Sequence, residues 1–167
     1  MSAGLADFFR YNLWANQVLL DFCEPLSDAQ LDATAAGVYG SVRAILMHLF
    51  SSEESYAGRV GGQAPGPHLK ESDAFSGFDE LRRRAEQSGQ ALIAFVEKAT
   101  EEDLTRILHL DDGTYDAPVY IVLIQAINHA IDHRSQIATV LSQQGIELPD
   151  LAGWGYNDAV VTPENLK

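Results

Sequence analysis

The chain has 167 residues, 46% of them aliphatic, aromatic or cysteine, which is enough to bury one core without covalent staples. Its 24 acidic residues against 11 basic ones give a formal charge of −13, which repels a phosphate backbone, so nucleic acid is excluded as the expected partner. No apolar run reaches the length of about 18 residues that a membrane span needs, and no charged-then-apolar leader opens the chain. The expectation is a single domain over residues 1–167, located in the cytoplasm, with no membrane partner.

In chain order, Leu5, Phe8, Phe9, Val18, Leu19 and Phe22 recur at three- and four-residue steps and predict a first long helix, stopped by Pro25. Cys23 sits at its end. As the one cysteine, it rules out an internal disulfide and a thiolate zinc cluster, and it reads as a small buried hydrophobe. "SDAQ", Ser27 to Gln30, has the form of a capping box and predicts a short turn. Ser41 can cap a second long helix through Val42, Ile45, Leu46, His48, Leu49 and Tyr56, ending before the loop sequence "VGGQAPGP". A third helix is predicted from Phe78 to Lys98, where Arg82, Arg83 and Arg84 fall on different sides and read as a solvated face. "TEED" predicts another capped turn, and Asp112-Gly113 a small hairpin or irregular crossover.

Pro118, at the first position of a helix, starts a fourth long helix to about Gln144, where Gly145 terminates it. The last twenty residues read as a packed tail anchored by Trp154 and Tyr156. The expected fold class is all-α: a four-helix bundle with a long crossover before the last helix.

The chemistry concentrates on helix four. At 100° per residue, Gln125, His129, Asp132, His133 and Gln136 fall in one narrow stripe with apolar ends, and His129 and His133 are one turn apart. A polar stripe facing a bundle core must find partners. Either the histidines are a hydrogen-bonded core pair, or they hold a cation, with Gln125, Asp132 or Gln136 accepting a ligand N–H. His48 on helix two supplies a third imidazole, and its helical neighbours Ala44, Ser51, Ser52 and Ser55 are small, which suggests a pocket mouth. Residue 130 is alanine, so the zinc-protease pattern with a glutamate beside the first histidine is absent. No Glu-x-x-His pair exists to build a di-iron carboxylate site.

"FFRYNLWANQVLL", "MHLFSSEESYAGRVGG" and "NHAIDHRSQI", in this order, resemble the DinB-like (YfiT-like) family of bacterial four-helix-bundle proteins, over nearly the whole chain. The most specific element is H-x3-H-R-x-Q, met by His129, His133, Arg134 and Gln136. The resemblance implies a divalent metal, zinc or nickel, held by His48, His129 and His133, and a homodimer. It also implies a small-molecule thiol (bacillithiol, mycothiol or glutathione) that is transferred to an electrophile or used to isomerise a double bond. A stress-response protein that binds metal or ligand without catalysis is the alternative.

Tyr11 and Trp14, one turn apart on helix one, are candidates with Ser52 for the substrate pocket, although an aromatic pair at this spacing also reads as core. Glu53 and Glu54 point away from the His48 direction by helical rotation, and His68 and His109 read as solvated. Asp158 is within possible spatial reach of the site from the tail. Ile124, Ile127, Ile131 and Ala138 form a second apolar stripe on helix four, to be covered by a second copy or by the chain's own loops and tail.

Overall fold

Apolar residues at helical spacing on four segments, each ended by glycine, proline or a cap, become four long helices that bury those residues against one another. In the computed structural model, which describes residues 3–61, 69–70 and 72–162, they are α1 (Ala3–Cys23), α3 (Val42–Gly61), α4 (Phe78–Lys98) and α6 (Val119–Ser142). Between them lie α2 (Asp28–Leu31), α5 (Glu101–Thr105) and a hairpin of β1 (Ile107–Leu110) with β2 (Tyr115–Pro118); α7 (Gly153–Tyr156) comes after them in the tail. The predicted loop of residues 60–67 falls largely outside the described residues, as do His68 and Pro163.

Both capping boxes form. Ser27 and Gln30 satisfy each other's backbone N–H at the start of α2, and Thr100 and Asp103 do so at α5. The strands pair antiparallel with Leu108 opposite Ala117 and Leu110 opposite Tyr115, joined by a 3₁₀ turn at Asp111–Gly113. Pro118 is not the first residue of α6. It is the last of β2 and sits in an extended conformation at the N-cap, where its missing N–H costs neither the ladder nor the helix. Gly145 takes a φ of 73° just past the end of α6, the left-handed position that terminates a helix.

α1 packs along α4, α4 along α3, and α3 along α6, whereas α1 meets α6 over much less of its length. The close approach of α1 and α4 depends on Gly89, where a Cβ would lie 2.8 Å from Leu13 Cδ1. Two apolar clusters make the core. One gathers Leu19, Leu46, Phe50, Leu81, Ile137 and Leu141, and the other Phe9, Leu13, Leu92, Val96, Val122 and Leu123.

The tail differs from expectation in one anchor. Tyr156 packs on Tyr11 and Trp14, but Trp154 is 80% exposed, because the turn of α7 directs it away from the bundle. Among the described residues no helix is long and apolar enough to cross a membrane.

Candidate metal centre

His48 stands in the middle of α3, and His129 and His133 stand one turn apart on α6, the helix beside it. That adjacency brings the three rings into one cluster, with centroids 4.3 to 4.8 Å apart. Each ring offers one ligand nitrogen, and the three nitrogens lie within 4.8 Å of one another; His48 Nε2 and His129 Nε2 are 3.0 Å apart. His133 is buried and the other two are half-buried, so the cluster sits at the rim of the core with one side toward solvent.

A neutral imidazole carries one N–H and one lone pair, so the 3.0 Å contact of His48 with His129 can be a hydrogen bond between them. A cation would engage a nitrogen of all three rings at once. The donor set is all nitrogen, with no carboxylate in it, which suits zinc or nickel rather than calcium or magnesium. Tetrahedral zinc with ordinary zinc–nitrogen bonds places its ligand atoms about 3.3 Å apart, so the 3.0 Å pair already fits and the widest pair needs only side-chain adjustment.

Aromatic rings wall the cluster. Tyr39 stacks on His48 with centroids 4.0 Å apart and planes 15° from parallel, and it meets His133 edge-on at 5.7 Å. Tyr56 meets His129 edge-on at 5.6 Å. Tyr39 lies in the loop before α3, so helical periodicity carries no signal for it. Gln136 holds that loop in place: its Oε1 accepts the Tyr39 backbone N–H at 2.8 Å, and its Nε2 donates to Asp132 Oδ2 at 3.0 Å. Of the residues expected to support the ligands, Gln136 therefore fastens a loop, and Asp132 and Gln125 are exposed on α6. Beside His48, Ser51 donates to the His48 carbonyl at 3.1 Å, Ser52 and Ser55 are half-buried, and Ala44 is exposed.

Tyr11 and Trp14 lie elsewhere. Their rings contact one another and Tyr156, and the Tyr11 hydroxyl donates to the Leu151 carbonyl at 2.9 Å. Glu54 faces α4, where it pairs with Arg84 at 2.8 Å and accepts the Leu69 N–H at 3.0 Å. His109 is exposed and contacts Asp116 at 2.7 Å, and Asp158 accepts from its neighbour Asn157. Cys23 is fully buried, and burial pushes its thiol up to about 12, so it stays protonated and inert.

A second polar group, which the sequence alone does not reveal, lies deeper. Asn12 and Asn16 on α1 each donate to Glu53 Oε2 at 2.8 Å, and Ser88 on α4 donates to Glu53 Oε1 at 2.6 Å. The two asparagine carbonyls accept from Arg134 Nη1 at 2.8 and 2.7 Å. Burial pushes the Glu53 carboxyl above its usual range, against the lowering effect of Ser88, Arg134 and the asparagines. The available signal is two asparagines four apart inside an apolar helix, where neither has a propensity reason to be.

A family model described as the DinB family matches residues 1–164. The chain belongs to the DinB family. It is 24% identical over 154 residues to Protein DinB of Bacillus subtilis, a match covering 87% of this chain and 88% of that protein. Two crystal structures share the fold. A DinB-like protein from Bacillus cereus superposes with a TM-score of 0.68 at 22% identity, over 87% of this chain and 94% of that one. One from Bacillus subtilis gives 0.61 at 20% identity, over 87% and 97%. In this DinB-family chain, the three-histidine cluster is therefore carried on the family's own helical frame.

Proposed function

We propose that this DinB-family protein is an enzyme that holds a divalent ion, zinc or nickel, at His48, His129 and His133 and transfers a low-molecular-weight thiol to an electrophile. The observation that carries the reading is the convergence of three imidazole nitrogens, without a carboxylate, at a half-open rim. A cation held by three protein ligands keeps coordination positions for other molecules and, when bound, favours the thiolate form of a small thiol.

The chain's own residues supply the rest. The rings of Tyr39 and Tyr56 limit how the imidazoles can turn, Gln136 keeps the Tyr39 loop against α6, and the small side chains at Ala44, Ser51, Ser52 and Ser55 leave room for the tail of a thiol. In the transfer, the thiol proton goes to solvent, sulfur forms a bond to the electrophilic carbon, and the leaving group departs with its electron pair.

Two measurements test this. Purified without a histidine tag, the protein should contain about one divalent ion per chain; His48→Ala, His129→Ala and His133→Ala should each abolish it, and His109→Ala should not. The cobalt-substituted protein, titrated with bacillithiol, mycothiol and glutathione, should develop a sulfur-to-metal charge-transfer band with one of them, and Ser52→Leu should suppress the band without loss of metal. Full metal content with no band for any thiol would replace the transferase reading with a non-catalytic metal- or ligand-binding role.

A further inference from the structure

The connection from α2 to α3 is tied at its base without help from the histidines. Arg43 Nε donates to Asp32 Oδ1 at 2.7 Å, the Val42 N–H to the Ala33 carbonyl at 3.2 Å, and Thr34 Oγ1 to the Gly40 carbonyl at 3.0 Å. Little backbone freedom is left for the tip to lose when it closes. Tyr39, near that tip, touches both helices of the histidine cluster. Its ring lies on His48 of α3 and against His133 of α6, and its N–H bonds to Gln136 of α6. Yet Tyr39 is 50% exposed, so burial of apolar area accounts for only part of its placement.

The stack itself supplies a second reason. Two neutral rings nearly parallel, at 15° with centroids 4.0 Å apart, set one π-face against another and gain little beyond the area they bury. A histidine that gives its lone pair to a divalent cation is different. Its imidazole takes up positive charge, and a tyrosine face within about 6 Å of a cationic group attracts it. The same contact is therefore worth more with metal than without.

We propose that Tyr39 is a positioning residue of the metal centre and that residues 33–41 form a clasp, which metal binding tightens and which in turn holds the His48 imidazole ready for the metal. This coupling rests on the reading of His48, His129 and His133 as a metal site, and it extends that site to a loop outside the helical frame. Coupling of this kind is reciprocal: the factor by which the clasp raises metal affinity is the factor by which metal stabilises the clasp.

Two measurements on the full-length protein test it: zinc affinity by competition with a chromophoric chelator, and hydrogen exchange with and without zinc. Tyr39→Phe keeps the ring and should bind zinc within about twofold of the unaltered protein. Tyr39→Leu keeps bulk and the backbone N–H but has no π-face. It should bind zinc about three- to fivefold more weakly, the weight of an exposed cation–π contact, with unchanged helical content. Zinc should slow exchange of the residue 39 amide more in the unaltered protein than in Tyr39→Leu, by a factor matching the difference in affinity. Equal zinc affinity in Tyr39→Leu, a loss in Tyr39→Phe as large as in Tyr39→Leu, or exchange at residue 39 that zinc leaves unchanged each overturns the clasp while the metal site stands. An unaltered protein that binds no zinc overturns both.

Discussion

The bundle contains two polar groups with opposite chemistry. The Asn12, Asn16, Glu53, Ser88 and Arg134 network alternates donors and acceptors: guanidinium to amide carbonyl, amide N–H to carboxylate, hydroxyl to carboxylate. The His48, His129 and His133 cluster repeats one kind of group three times at a half-open rim. A network of complementary groups supplies most of its own partners and ties α1, α3, α4 and α6 together. A cluster of like rings can pair two nitrogens through one proton, as the 3.0 Å contact of His48 with His129 allows, but a nitrogen of all three meets in one bond set only around a cation. The difference separates a polar group that specifies a fold from one that could hold a metal ion.

The largest expected effect tests that separation through stability. Glu53→Ala leaves the buried Arg134 without its counter-charge and should cost about 3–5 kcal/mol, measured by urea unfolding, the range for breaking one side of a buried ionic group. In metal-free protein, His129→Ala should cost far less, because it removes a half-buried neutral ring and its contact with His48 and leaves no buried charge unpaired. Equal losses would mean that the histidine cluster is also a structural network.

A second expectation concerns pH. Burial raises the folded carboxyl of Glu53 above its unfolded value, so the unfolded chain releases this proton first as pH rises. The stability that Glu53 contributes is therefore full below the unfolded carboxylate range. It declines as pH rises through the window up to the folded value. Glu53→Gln, which keeps the side-chain shape and cannot ionise, should remove this decline from a plot of urea midpoint against pH; an unchanged plot would place the ionisation effect elsewhere. Glu80 acts in the opposite sense. Its hydrogen bond to Arg83 lowers its carboxyl to about 2, so its contribution is present above the unfolded value and is lost as pH falls toward 2, at a solvated site where screening keeps it small.

The smallest effect sharpens the comparison at the rim. Gln136→Ala removes the side-chain acceptor of the Tyr39 N–H and should cost about 1 kcal/mol, the worth of one hydrogen bond. Hydrogen exchange should show the Tyr39 amide losing protection while amides in the middle of α6 keep theirs. Retained protection at Tyr39 would show that stacking on His48 alone holds the loop.

By itself the amino-acid sequence determined the features that local rules govern. The four long helices come from apolar spacing, the starts of α2 and α5 from capping boxes, the end of α6 from Gly145, and the pairing of His129 with His133 from the four-residue helical repeat. That His48 joins them is an expectation from its place on a neighbouring helix, and the packing of α3 against α6 decided it. Tertiary structure alone placed Tyr39 on His48, because a loop residue carries no periodic signal. It also turned Tyr11 and Trp14 toward Tyr156 and built the Glu53 and Arg134 network, whose members are separated by as many as 122 residues in sequence. Helical rotation tells which residues share a face, but which face meets which neighbour depends on the summed packing of all four helices. For that reason the close approach of α1 and α4 at Gly89, and the looser contact of α1 with α6, are legible only in the tertiary structure.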